Sequence, residues 1–397
     1  MKNNINSLKL TDIGDLSRGK SKHRPRNDKS LYGGKYPFIQ TGDIKKANHI
    51  LQTYSQTYND KGLSQSKLWK KGTICITIAA NIADSAILGF DACFPDSVLG
   101  LVVDKDKANI DFVEYLLQYY KMNIKNQSNG TSQENINLDT FQQVFFDIPD
   151  LPIQNKIANV LSAIDRKIDI NNKINIELEQ TAKDLYDYWF VQFNFPDENK
   201  RPYKSNNGKM VYNDILKKEI PLNWSYTTLD DICEMYQPQT ISEKILIKDG
   251  KYFVYGANGI IGKYNEYNHS ESEIVIACRG NSCGKINRTL HNSWITGNAM
   301  VIKLKNKKIH NEYLCNALRY TNIKGIISGS GQPQITRQNL SLVKIIQPQI
   351  DIVLKYSSIV KDIVEKRLKN ELENQQLKTL RDWLLPMLMN GQVKVLD

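Results

Sequence analysis

No run of apolar residues in this chain reaches the about 18 that a membrane span needs, and Met1-Lys-Asn-Asn-Ile-Asn-Ser7 has no apolar stretch of the signal-peptide kind. These absences point to a cytoplasmic protein without a membrane partner. Histidine is scarce: His23, His49, His269, His291 and His310 are the only five, and none stands in a nucleophile–base arrangement. The six cysteines (Cys75, Cys93, Cys233, Cys278, Cys283, Cys315) are scattered. Only Cys278 and Cys283 are near neighbours, with no histidine pair at zinc-site spacing, so free, mostly buried thiols are expected and no metal.

Cofactor loops are missing as well. Gly280-Asn-Ser-Cys-Gly284-Lys285 has three residues where a phosphate-cradling loop needs four, and Ile286 follows in place of Ser or Thr. Gly256-Ala-Asn-Gly259-Ile-Ile-Gly262 lacks dinucleotide spacing and reads as a tight loop. The glycine-rich cofactor loop and Asn/Asp-Pro-Pro-aromatic segment of an adenine or cytosine methyltransferase do not occur. Pro149-Asp150 followed by Asp165-Arg166-Lys167 formally satisfies a nuclease pattern, but Asp165 follows Ile164 on a helix with another use. The chain is expected to catalyse nothing and to hold no cofactor.

What is present is positive charge, set unevenly. Lys+Arg 53 against Asp+Glu 42 leaves +11, which favours a polyanion partner. Eight basic side chains (Lys2, Lys9, Arg18, Lys20, Lys22, Arg24, Arg26, Lys29) stand in the first thirty residues against Asp12, Asp15 and Asp28, so +5 of the surplus lies there.

The chain also repeats itself. Ile136-Asn-Leu-Asp-Thr-Phe141 and Phe145-Phe-Asp-Ile-Pro149 are answered by Ile335-Thr-Arg-Gln-Asn-Leu340 and Lys344-Ile-Ile-Gln-Pro348, at a constant offset of 199. One domain-plus-helix unit therefore fills each half. After the first phrase, Ile157, Leu161, Ile164, Ile168, Asn171, Asn175, Leu178, Ala182, Leu185 and Trp189 follow the alternating four-and-three period of a helix that packs on another helix. The offset carries this seam to Tyr356, Val360, Ile363, Arg367, Asn370, Asn374, Leu377, Arg381, Leu384 and Leu388. Asparagine recurs at the same two positions. Buried, those amides would fix register and partner; the alternative is that they lie on the surface of helices bound to something else, since Arg367 and Arg381 interrupt the second seam. A single helix over Ile153–Gln192 would run about 60 Å.

The globular parts read as mixed α/β. Tyr36–Ile39, Thr73–Ile78 and Leu99–Val103 have strand chemistry, and Asp111–Tyr120 has helical spacing; Tyr252–Tyr255, Ile274–Ala277, Ala299–Ile302 and Asn311–Tyr320 repeat that order. The polar, proline-bearing stretch from Asn194 to Gly208 is a linker.

The phrases Ile148-Pro-Asp-Leu-Pro-Ile-Gln154, Tyr188-Trp-Phe-Val191, Arg201-Pro-Tyr-Lys-Ser205 and Ile220-Pro-Leu-Asn-Trp224 resemble the first conserved helix and linker of specificity subunits of type I restriction-modification enzymes. Pro37-Phe-Ile-Gln-Thr-Gly-Asp-Ile44, Val254–Gly262 and Leu380-Arg-Asp-Trp-Leu-Leu-Pro-Met-Leu-Met-Asn-Gly391 are similar to other phrases of the family, so the resemblance spans essentially the whole chain. One departure is that the Pro149-to-Gln154 lead-in has no intact equivalent after Pro348, which leaves the start of the second helix open.

The resemblance implies target-recognition domains at 1–150 and 223–348, conserved spacer helices at 151–193 and 349–391, and a linker at 194–222. It implies helices packed as an antiparallel coiled coil with pseudo-twofold symmetry, setting the reading domains more than one turn of DNA apart, roughly 34 Å. It also implies docking of two modification (methyltransferase) subunits and of restriction subunits, with S-adenosylmethionine, ATP and magnesium on those partners.

Candidate contacts to double-stranded DNA in the first half are Arg18, Lys20, Lys22, Arg24 and Arg26 in a basic loop, with Gln40, Thr41 and Asn81. In the second half they are Arg279, Asn281, Lys285, Gln332, Gln334 and Arg337. A basic run is also what a merely solvated loop looks like. Two other readings are a self-contained enzyme that modifies or cuts DNA, and a coiled-coil scaffold without DNA recognition.

Overall fold

The computed structural model describes residues 5–78, 84–127, 142–248, 250–329 and 331–395. The repeat phrase at 136–141 lies outside these residues. The chain forms two compact units, one of residues 1–171 with 373–397, the other of residues 172–372.

The first unit holds β1 (Ile5–Leu8), β2 (Gly14–Arg18), β3 (Tyr32–Phe38), β4 (Ile50–Leu51), β5 (Gln56–Tyr58), β6 (Ile74–Thr77), β7 (Ser85–Leu88), β8 (Val98–Val103) and β9 (Phe146–Pro149). Its main sheet has the order β2-β8-β6-β7-β4, and β1-β9 and β3-β5 form separate antiparallel pairs. Side chains alternate across a strand. Ile74 and Ile76 therefore pack on one face with Phe112 and Leu116 of the helix Ile110–Gln127, while Cys75 packs on the other with Trp69, Leu88 and Phe94. Burial on both faces explains why β6 reads as an unbroken apolar run.

The second unit holds β10 (Met210–Asn213), β11 (Lys218–Pro221), β12 (Ser225–Thr228), β13 (Cys233–Tyr236), β14 (Tyr252–Gly256), β15 (Gly259–Tyr264), β16 (Ile274–Ala277), β17 (Ile286–Arg288), β18 (Trp294–Ile295), β19 (Ala299–Leu304) and β20 (Lys344–Gln347). The order β13-β19-β16-β17 reproduces β2-β8-β6-β7, and β12-β20 reproduces β1-β9. The halves share this core topology; the first adds β4 as a fifth strand, and the second has a three-stranded sheet β15-β14-β18 where the first has the pair β3-β5. Their spacing differs: β2 and β13 begin 219 residues apart, but β6 and β16 begin 200 apart, so the first half has nineteen more residues between these strands. The basic loop lies within that longer stretch.

The first long helix is Leu151–Tyr186, widening into a π-helical turn at Asp187–Val191; the second is Ile350–Met389. The missing lead-in after Pro348 does not delay the second helix, since the N–H groups of Ile352 and Val353 bond back to the Gln349 carbonyl. In the first unit the helices run antiparallel. Asn171 Nδ2 donates to Asn374 Oδ1 (2.9 Å) and Glu373 Oε2 (2.7 Å), Arg381 Nη1 meets Asp165 Oδ1 (2.8 Å), and Ile157 and Leu161 share a core with Leu385 and Leu388. The helices of the second unit are antiparallel too: Asn370 Nδ2 donates to Asn175 Oδ1 (2.8 Å), Glu179 pairs with Arg367 (3.1 Å), and the Tyr356 hydroxyl donates to the Ala182 carbonyl (3.1 Å).

Adding 199 to Asn171 and subtracting it from Asn374 converts the first asparagine pair into the second. Asn171, Asn370 and Asn374 are buried, and Asn175 is half-buried. Between Asn171 and Ala182 no side chain of the first helix is fully buried, so directional amide bonds set the register where apolar packing is thin. Ile164 and Val360 are buried, and Leu178, Ile363 and Leu377 are half-buried. Val364, beside Ile363, and Leu385, beside the half-buried Leu384, are the deeper apolar positions.

The stretch after the first helix is more than a polar tether. Phe195 is buried and stacks on Tyr203 (4.7 Å) and Trp224 (4.9 Å) in the second unit's main core.

A buried polar network holds the first unit's sheet domain to its helices. His49 Nδ1 meets Glu114 Oε2 (2.5 Å), His49 Nε2 meets Asp111 Oδ1 (2.8 Å), and the ring stacks on Tyr115 at 4.2 Å. The Tyr115 hydroxyl donates to Asp165 Oδ2 (2.6 Å), and Asn48 Nδ2 to Asp165 Oδ1 (2.7 Å). Burial opposes charge on His49, but the Glu114 and Asp111 carboxylates prevail and hold its pKa up at about 10, against 6.5 ordinarily. A folded-state pKa above the unfolded one adds stability that is complete below the unfolded value and is lost as pH rises through the folded value. Urea unfolding should therefore show stability falling between about pH 6.5 and pH 10, with a shallower decline in His49→Gln. Equal slopes in the two proteins would refute the assignment.

Candidate nucleic-acid interface

Each unit gathers exposed cations and amides on loops beside its main sheet. In the first, the chain leaves β2 through Gly19, where any Cβ would lie 2.3 Å from the Pro95 carbonyl oxygen; only glycine permits that passage. The basic loop that follows is folded. Arg24 Nη1 donates to the carbonyls of Ser21 (2.7 Å) and His23 (2.9 Å), which makes Arg24 a brace of its own loop. Asp28 accepts from the Ser30 N–H (2.9 Å) and lies 2.7 Å from His23 Nε2; the Ser30 bonds first, then the histidine, hold its carboxyl down at about 2. Arg26 Nη2 rests on Asp96 Oδ1 (2.5 Å) with about half its side chain exposed.

An open cleft of about 540 Å³ brings Arg26 together with Gln40 and Thr41, and adds Asn27, Lys29, Tyr32, Phe38, Gln56 and Ser97. Gln40 precedes the short helix Thr41–Lys46, and its backbone N–H is held by Asp43 Oδ2 (2.9 Å). That helix leads to Asn48 and His49, so the buried network anchors the far end of the segment that carries Gln40. Arg18, Lys20 and Lys22 are exposed on the approach to the loop and do not line the cleft. Asn81 lies outside the described residues.

In the second unit, residues 278–280 and 333–335 are zipped together. Arg279 forms a bridge with Gln334, the Ile335 N–H donates to the Cys278 carbonyl (3.0 Å), and the Gly280 N–H donates to the Pro333 carbonyl (3.1 Å). Gly280 has φ +74°, a conformation that other side chains rarely adopt. Arg279, Asn281, Lys285, Gln332 and Gln334 are all exposed there. Lys285 Nζ donates to Asn258 Oδ1 (2.7 Å), on the tight turn between β14 and β15. Arg337, exposed, opens the short helix Arg337–Ser341, which Thr336 caps.

Sequence reasoning missed Gln56, Lys29, Tyr32, Ser97 and Asn258. Gln56 enters the cleft only because β5 pairs with β3 in the register Phe38↔Gln56, and no local pattern announces that pairing.

Asp165, the carboxylate of the nuclease-like pattern, is occupied by Arg381, Tyr115 and Asn48. Among the described residues no group of three or more His, Cys, Asp and Glu side chains is placed to hold a metal ion, and no helix is long and apolar enough to cross a membrane. All six cysteines are free, and all but Cys283 are buried.

Two domains that share a core strand order, each with exposed cations and amides on loops beside its sheet and a long helix after it, fit a tandem DNA-reading protein. The family described as type I restriction modification DNA specificity domain matches twice, over residues 3–180 and 221–380, and the chain belongs to that family. It is 26% identical to the specificity subunit of type I restriction enzyme MjaIX of Methanocaldococcus jannaschii, over 98% of this chain and 93% of that protein. To the HindI specificity subunit of Haemophilus influenzae it is 25% identical, over 98% of this chain and all of that one. Its fold resembles the crystal structure of the S subunit of a type I restriction-modification system from M. genitalium, with a TM-score of 0.58 at 19% identity over 98% of this chain and 96% of that one. The protein is a DNA specificity subunit that recognises its target through two domains.

Proposed function

We propose that the two domains, at 1–150 and 223–348, each read one half of a two-part DNA site, through different side chains. The observation that carries this is a shared core strand order with exposed cations and amides gathered on different loops: Arg26, Gln40 and Thr41 converge in the first half, Arg279, Asn281, Gln334 and their neighbours in the second. Arg18, Lys20, Lys22, Lys285 and Arg337 contact phosphates. Such contacts carry affinity and its salt dependence but no sequence information.

The chain works in the cytoplasm and itself catalyses nothing. It docks two modification subunits, which bring S-adenosylmethionine, and restriction subunits, which bring ATP and magnesium. Occupation of Asp165 by structural partners supports the non-catalytic reading. The test is to mix the purified chain with duplex DNA and S-adenosylmethionine, with and without modification subunits. Methylation only in their presence, at a motif of two separated parts, is expected. Methyl transfer by the chain alone, or a single undivided motif, would overturn the proposal.

A further inference from the structure

The first-unit cleft contains more than exposed polar groups; two of its side chains are held in place by neighbours. Gln40 Nε2 donates to Gln56 Oε1 at 2.8 Å. Gln40 follows the end of β3 and Gln56 opens β5 opposite Phe38, and the Gln40 backbone is tied to Asp43. One N–H of Gln40 is thereby used, leaving its carbonyl and second N–H as an edge whose torsion the partner restricts. An amide edge with one donor and one acceptor matches adenine N7 and N6 in the major groove. Lining the same cleft, Arg26 is held by Asp96, which is 3.5 Å from Arg24 as well. A guanidinium oriented in this way keeps N–H groups for guanine O6 and N7. A lysine-lined cleft would offer only charge, which phosphates satisfy without regard to sequence.

We propose that this cleft reads one adenine through Gln40 and one guanine through Arg26, with Gln56 and Asp96 as positioning residues that orient the amide and the guanidinium. This rests on the reading that the first half recognises DNA. It makes Gln56 and Asp96 determinants of sequence preference although neither needs to touch a base.

The test is selection of bound duplexes from a random library by the full chain in complex with its modification subunits. The half-site altered by first-unit variants should contain an adenine and a guanine. Gln40→Ala and Gln56→Ala should each weaken preference for the same adenine by about ten-fold, and the double variant should lose no more than either alone. Gln56→Glu keeps the acceptor for the Gln40 N–H and should retain the adenine preference, a rescue that a general structural role would not produce. Arg26→Ala should loosen the guanine to a similar degree, Asp96→Ala should loosen the same position, and Arg26→Lys should not restore it. The other half-site should stay unchanged throughout. A first half-site without adenine, or an adenine preference indifferent to Gln40→Ala, overturns this proposal and leaves the two-domain reading standing. Failure of the unaltered complex to select any two-part motif overturns both.

Discussion

Arg381→Ala is expected to lower the stability of the first unit by about 3–5 kcal/mol, the range for removing one partner of a buried ion pair. The Arg381 side chain is 13% exposed and that of Asp165 only 5%. Without the guanidinium, Asp165 keeps the Tyr115 and Asn48 donors but has no countercharge in a largely buried site. In a unit of this size such a loss lowers Tm by roughly 10 °C. Thermal unfolding should reveal it, and hydrogen exchange should place the lost protection in β6, β8 and the helix Ile110–Gln127. The repeat supplies the control. At the offset of 199, Asp165 corresponds to Val364 and Arg381 to Ala182, both buried and apolar. The double variant Asp165→Val, Arg381→Ala transplants that pair and should recover much of the single-variant loss, because no charge is left without its partner. A double variant as unstable as the sum of the singles would show that the ion pair is not a coupled unit.

Tyr356→Ala should cost the second unit about 3–5 kcal/mol, the range for truncating a buried aromatic residue. Tyr356 is fully buried, with its ring edge-on to Phe190 at 5.2 Å and to Tyr186 at 5.9 Å. Its hydroxyl donates to the Ala182 carbonyl and accepts from Asn316 Nδ2 (3.2 Å). Tyr356→Phe keeps the ring and should cost only about 1 kcal/mol, the net worth of a typical hydrogen bond. Denaturant titration followed by tryptophan fluorescence separates the two. Equal losses would mean that the hydroxyl, and not the aromatic packing, holds the helix to the domain.

These two sites differ in how readable they were. Trp189 in the first helix and Tyr356 in the second fall on the four-and-three period, so both stood out in the sequence as seam positions. Asp165 did not, because periodicity reports which face of a helix is buried and not which polar groups meet there. Its partners Tyr115 and Arg381 lie 50 and 216 residues away. The same limit hid His49 with Glu114, and Gln40 with Gln56. A strict heptad also drifts against the 3.6-residue turn. It selected Ile363 and Leu384 where Val364 and Leu385 lie deeper. Strands β6, β8, β16 and β19 were legible because burial on both faces leaves continuous apolar runs. The linker misled in the other direction: its polar composition concealed Phe195 and Tyr203, which tie it into the second core.

The nineteen additional residues between β2 and β6 have an evolutionary consequence. Each doubling of a loop's length adds only about 0.6 kcal/mol of closure entropy, so insertions between fixed strand ends are cheap in stability. The strands on either side belong to the order both halves share, and their apolar contacts do not involve the exposed basic side chains of the loop after β2. Mutation and insertion can therefore accumulate in the reading loop while the sheet and helices remain under unchanged constraint. A lineage carrying this scaffold can acquire new target sequences one half-site at a time, without passing through unfolded intermediates.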